Sequence, residues 1–292
     1  MHCVRVGVSG WTYRAWRGPY YPAGLRQADE LPYVAARMNS AEVNGSFYAL
    51  QRPESYRRWR EATPAGFVFA VKGPRFITHM KKLREVREPL ANFLASGVLL
   101  LGEKLGPLLW QFPARQAFER ERFEDFLALL PRGTIAAAAV AAGHSERLAG
   151  RAWTEALAAA PLRHAFEVRH PSFFDGEFSR LLAAHGAGLV LADTAGKWPY
   201  CEDVTADFVY LRLHGAERLY WSGYSDEQLA WWAARIRDWS AGREPPDART
   251  TRGKPAGSGA PRDVFAYFDN DAQAHAPRDA ERLLALLRQN AS

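Results

Sequence analysis

Eight short runs of β-forming residues alternate with helix-like patterns from one end of the chain to the other. The runs cover residues 4–9, 40–44, 67–72, 108–112, 164–168, 189–193, 208–214 and 264–269. Helical periodicity is read at 29–38, 53–62, 121–130, 178–185, 225–239 and 279–289. Pro53 stands where a first helical residue has no N–H to satisfy. Ser225 with Gln228 forms a capping box. Strands that alternate with helices need a parallel sheet with helical crossovers. Strand ends recur about every 37 residues, so 292 residues hold eight βα units. The expected fold is therefore α/β: a single (β/α)8 TIM-type barrel, one domain over residues 1–292. The excess length falls in insertions between strands 4 and 5 and between helix seven of the repeat and strand 8. An open doubly wound sheet is the rival. It usually carries a Gly-rich phosphate loop after its first strand, and Ser9-Gly10-Trp11-Thr12-Tyr13 is not one.

The first insertion, 134–160, is rich in alanine and reads as extra helical decoration. The second, 242–261, is rich in proline and glycine and reads as a mobile surface loop. Apolar residues make up 48% and charged residues 24%, which excludes wholesale disorder, collagen and a disulfide scaffold. No run reaches the ~18 to 20 apolar residues of a membrane span. No basic-then-apolar signal pattern precedes the first strand. With only Cys3 and Cys201, the expected compartment is the reducing cytoplasm. The net charge of +6 favours anionic partners. Ten tryptophans imply large cores, stacking surfaces, or both.

In a barrel, the C-terminal strand ends and the loops after them build the active site. Here those ends are polar. They supply Ser9 with the aromatic loop Trp11, Tyr13 and Trp16, then Glu42 and Asn44, Lys72 with His79 beyond, and Gln111. Further along come Glu167, Arg169 and His170, Asp193, Arg212 and His214, and finally Asp269, Asn270 and Asp271. Residues two apart on a strand share a face. Glu42/Asn44, Glu167/Arg169 and Arg212/His214 are such pairs. An unpaired buried polar group costs about 1–3 kcal/mol, so three such strands point to a polar cavity. The alternative is structural: Glu167 and Arg169 pair with each other or with Arg212, His214 is a satisfied core histidine, and Asp269 and Asp271 only cap the last loop.

Eight stretches carry a resemblance in order along the chain: VGVSGWTYRAWRGPYYP (6–22), AEVNGSFYALQ (41–51), FVFAVKGPRFITH (67–79), LLWQFP (108–113), HAFEVRHPSF (164–173), VTADFVYLRLHG (204–215), YWSGYS (220–225) and VFAYFDNDAQAHAPRDA (264–280). The chain resembles the domain-of-unknown-function 72 family, the YecE-like proteins. The resemblance implies a single (β/α)8 barrel and carries no assigned activity. It places the family's polar positions on Glu42, Asn44, Lys72, His79, Gln111, Glu167, Arg169, His170, Asp193, Arg212, His214, Tyr224, Asn270 and Asp271. One departure stands at Asp269, where the family's last strand usually reads Phe-Asn-Asn-Asp.

The expected function is an enzyme of hydrolase or isomerase type acting on an anionic or polyhydroxylated small molecule. Glu42, Glu167 and Asp193 are the acid/base candidates, with His214 assisting proton transfer. Lys72, Arg169 and Arg212 suit phosphate or carboxylate. Ser9, Trp11, Tyr13, Asn44, His79, Gln111, His170, Tyr224, Asn270 and Asp271 complete the substrate-binding set. The first alternative is a metal-dependent phosphoesterase- or nuclease-like enzyme with a divalent metal as cofactor, since His79, His170, His214 and the carboxylates form a sufficient inventory. It is not favoured, because cations in the same ring repel a metal. A non-catalytic nucleic-acid or ligand-binding barrel is the other class. Carboxylates among the cations argue against simple phosphate-backbone binding. The oligomeric state is left open.

Overall fold

The computed structural model describes residues 3–251 and 259–289. Eight parallel strands follow one another in chain order around a closed barrel. They are β1 (Val4–Ser9), β2 (Ser40–Val43), β3 (Val68–Lys72), β4 (Leu105–Gln111), β5 (His164–Glu167), β6 (Gly188–Asp193), β7 (Phe208–Leu213) and β8 (Asp263–Phe268). All eight expected strands are present, within three residues at each boundary. Most of their positions are buried, as expected when both faces of a parallel sheet are covered.

The α-helices are α1 (Glu30–Ala35), α2 (Gly45–Tyr48), α3 (Pro53–Glu61), α4 (Arg87–Ala95), α5 (Arg120–Leu129), α6 (Thr134–Ala141), α7 (Glu177–Ala184), α8 (Asp226–Ser240) and α9 (His275–Gln289). Ser225 caps α8 through the expected reciprocal box with Gln228. The helix read at 29–38 is shorter, a 3-10 turn at Gln27–Asp29 running into α1. Asn39 follows it and bridges to β1: its Oδ1 accepts from the Val6 amide and its Nδ2 donates to the Val4 carbonyl. Helix α4 has no counterpart in the sequence reading. Pro89 sits in its first turn, where proline is tolerated but looks like a break. The alanine-rich insertion is helical only over α6 and a turn at Glu146–Leu148. Residues 252–258 of the expected 242–261 loop lie outside the described residues.

Contacts divide the chain into two compact units, Met1–Ala41 with Pro171–Ser292, and Glu42–His170. The first unit has a core in which Val6, Val8, Leu211, Leu213, Val264 and Phe268 meet Ile236, Trp239 and Leu283 from α8 and α9. The second is built on aromatic rings. Trp110 meets Phe126 and Phe93 edge-on, and Phe112 stacks on Phe166. Among the described residues, no helix is long and apolar enough to cross a membrane. Cys3 and Cys201 are both free thiols.

Candidate functional site

In the first unit, Arg212 lies one residue from the end of β7 and is fully buried. Its Nη2 donates to Ser9 Oγ at 3.0 Å and to Asp269 Oδ2 at 2.9 Å. His214, two residues on and also fully buried, places Nδ1 3.1 Å from the same Asp269 oxygen. Tyr220 meets the imidazole edge-on at 5.1 Å. Asp269 thus gathers a guanidinium and an imidazole on one oxygen. Gly215 follows with φ +113°, and a Cβ there would stand 2.6 Å from the Arg218 carbonyl, so only glycine fits.

Asp193 ends β6 and is half-buried. Its Oδ2 accepts from the Tyr224 hydroxyl at 2.9 Å and its Oδ1 from the Ala195 amide at 3.2 Å. Burial raises its pKa above the usual aspartate range, and these two hydrogen bonds offset part of that rise. The Tyr224 hydroxyl accepts from the Gly215 amide at 3.1 Å, and burial holds its pKa up. Asp193 and Tyr224 both line an open cavity of about 470 Å3.

Other predicted members of this unit are spent on structure. Asn270 Nδ2 donates to Ser222 O and to Asp279 Oδ2, both at 3.0 Å, which ties the β8 loop to α9. The Asp271 carbonyl accepts from Trp16 Nε1 at 3.1 Å. Trp16 is core, 4.9 Å from the Tyr13 ring, so the aromatic loop is anchored inward. The Tyr13 hydroxyl donates to Ser9 O at 2.6 Å, and Trp11 is half-buried.

In the second unit, Glu167 ends β5 fully buried, and its Oε1 accepts from Arg169 Nε at 2.9 Å and Nη2 at 2.7 Å. This is one of the pairings the structural alternative foresaw. Lys72 ends β3, is 5% exposed, and holds its ammonium 4.2 Å from the Phe47 ring centroid. Phe47 on α2 also meets His79 edge-on at 5.1 Å. Ser46, beside it, donates its hydroxyl to the Lys72 carbonyl at 2.6 Å. Gly73 follows Lys72, and a Cβ there would lie 2.4 Å from the Trp110 ring.

His79 falls in a π-helical turn at Phe76–Met80, with Nδ1 2.9 Å from Thr78 Oγ1. Its pKa is pushed down to about 4, first by burial and then by the Lys72 and Arg169 cations. Glu42 is fully buried in β2. Gln111 ends β4 in register with Glu167. Asn44 precedes α2 and His170 follows β5, both half-buried. A separate open groove of about 740 Å3 in this unit is lined by Tyr48, Phe76, Met80 and Arg75, and by none of the predicted residues.

Of the four acid/base candidates, Glu42, Glu167 and His214 have no exposed surface, and Asp193 is only half-buried. Among the described residues, no three His, Cys, Asp or Glu side chains gather to hold a metal ion. Sequence reasoning left Asp269 outside its site set and missed Phe47, Trp198, Trp231 and Glu227. Asp269 carried a signal, since it departs from the family pattern. Trp231 carried none that separated it from the adjacent Trp232.

A family model described as "Protein of unknown function DUF72" matches residues 5–292. A curated relative, UPF0759 protein YecE of Escherichia coli K12, is 31% identical over 111 residues. That match spans 38% of this chain and 38% of the relative's length, as does the match to the protein of the same name from Escherichia coli O157:H7. A crystal structure of a DUF72 family protein from Thermotoga maritima aligns with TM-score 0.73 and 23% identity, covering 98% of this chain and all of that one. A DUF72 family protein from Enterococcus faecalis V583 aligns with TM-score 0.68 and 15% identity, covering 99% and 97%. At these identities the structures bear on the fold.

Proposed function

The chain belongs to the DUF72 family of TIM-barrel proteins, and we propose that this member is an enzyme of hydrolase or isomerase type. Its substrate is an anionic, phosphate- or sugar-containing small molecule, and its chemistry is carboxylate acid/base catalysis. One observation carries the reading: Asp193 has a burial-raised pKa, accepts from Tyr224, and lines an open cavity. A carboxyl group whose pKa is raised by burial and that faces an open cavity is a candidate for general acid/base work. Tyr224 holds it in one orientation and is itself held by the Gly215 amide.

Supporting groups have distinct roles. Glu42, Glu167 and His214 are sealed, so direct proton transfer falls to Asp193, and His214 acts through its shared Asp269 partner. Arg249 lines the same cavity as Asp193 and supplies a cation for an anionic group there. Lys72 and Arg169, in the other unit, make a second environment that favours an anion. Burial lowers the His79 pKa first, and these two cations push it the same way.

The test is turnover of a panel of sugar phosphates, phosphomonoesters and glycosides, followed by NMR, with wild type and Asp193→Asn. Wild type should convert at least one compound, and the variant should lose about 10²- to 10⁴-fold in kcat. Turnover that is undiminished in Asp193→Asn would sink the reading.

A further inference from the structure

Five aromatic rings wall the cavity beside Asp193: Trp198, Tyr200, Tyr224, Trp231 and Trp232. Trp232 is part of the core at 3% exposed, whereas its neighbour Trp231 is 42% exposed. An open indole in a concave wall is surface that a ligand can cover. The ring is held in place by a cation on one face, and the rest of it stays open. The Arg235 guanidinium stacks on it at 3.7 Å from the centroid. Arg235 is itself buried and gripped by Asp247 at 2.8 Å and Glu202 at 3.4 Å. Trp232 stands edge-on to Trp231 at 4.8 Å and to Tyr200 at 6.4 Å. A ring fixed in advance loses little entropy when a ligand lands on it.

The polar lining narrows the ligand class. Asp193, Glu227, Gln228 and Arg249 offer acceptors and donors around the aromatic walls. A sugar ring needs this combination, with a flat apolar surface for its C–H face and planar polar side chains for its hydroxyls. An organic cation would also suit aromatic walls. Here Lys197 already lies 5.3 Å from the Trp198 ring centroid, Arg235 covers Trp231, and Arg249 repels positive charge. A bare phosphate would meet two carboxyl groups. The cavity of about 470 Å3 lies within the usual range of small-ligand sites, about 300–1,000 Å3.

We propose that this cavity binds a sugar ring face-on to Trp231, making carbohydrate the substrate class of the Asp193 site. The binding claim stands on the cavity, and only the claim of turnover rests on the acid/base reading above.

Calorimetric titration tests it with glucose, galactose, mannose, xylose and ribose, each as the free sugar, the methyl glycoside and the sugar phosphate. At least one free sugar or glycoside should bind saturably. Trp231→Ala should weaken that binding about tenfold, equivalent to about 1.4 kcal/mol, while Trp231→Phe holds it within about threefold. No saturable binding across the panel overturns the proposal. So does an affinity unchanged in Trp231→Ala, binding of the phosphates alone, or tighter binding of tetramethylammonium. Asp193→Asn separates the two readings. Sugar binding with turnover indifferent to Asp193 keeps the sugar site and removes the acid/base role. Turnover that depends on Asp193 without sugar binding does the reverse.

Discussion

In each unit burial shifts a titratable side chain of the predicted site, and the two shifts run in opposite directions. In the unit of Met1–Ala41 with Pro171–Ser292, burial leads: it raises the pKa of Asp193, and Tyr224 only partly offsets the rise. In Glu42–His170, burial and cations act together on His79, because Lys72 and Arg169 push the same way as desolvation. A carboxyl and an imidazole respond to burial with opposite signs, since each resists its charged form. The first unit therefore holds a carboxyl group whose pKa burial raises, and the second an imidazole whose pKa burial lowers.

Three experiments break or sharpen the contrast. The largest expected effect is on the buried Arg212–Asp269 pair. Arg212→Met removes the guanidinium that donates to Asp269 Oδ2 and Ser9 Oγ. Urea unfolding should show a loss of about 3–5 kcal/mol. A loss below about 1 kcal/mol would mean that water supports the network and that burial does not lead there.

Next is the pH dependence of stability in the second unit. His164 is buried, with Nδ1 accepting from Trp110 Nε1 and Nε2 facing the Pro131 carbonyl, and burial pushes its pKa down to about 4. His79 is lowered to about 4 as well. Between pH about 6.5 and about 4 the unfolded chain takes up protons that the folded chain refuses. Stability is therefore full above that window and falls as pH drops through it. His164 alone accounts for about 3 kcal/mol at the acid end. The check is urea midpoints across this range for wild type and His164→Gln, whose curve should be flatter.

The smallest effect is local. Lys72→Met removes one of the cations beside His79, so its titration by NMR should move upward from about 4 while staying below 6.5, because burial remains. An unmoved value would show that the imidazole does not sense the cation, and the contrast would reduce to burial alone.

Much of the fold was legible in the sequence. The alternation of strands and helices specified eight strands, and the Ser225 box marked the start of α8. Glu167 and Arg169, two apart in sequence, do pair, although β5 ends at Glu167 and Arg169 lies beyond it. Helix α4 was hidden because Pro89 looks like a stop yet sits in a first turn. Trp16 read only as part of the aromatic loop after β1, whereas its Nε1 reaches the Asp271 carbonyl 255 residues away. No local pattern reveals such a partner.

The sequence by itself determined the barrel, because hydrophobic periodicity and turn chemistry are local properties that repeat along the chain. It also determined which ionisable residues stand at strand ends, since that follows from spacing alone. Only the tertiary structure decided how they differ. Burial and partners come from distant segments, and they make Asp193 a half-open acid while sealing Glu42, Glu167 and His214. It likewise decided between Trp231 and Trp232, adjacent on one helix and both in the cavity wall, by packing Trp232 into the core and leaving Trp231 exposed.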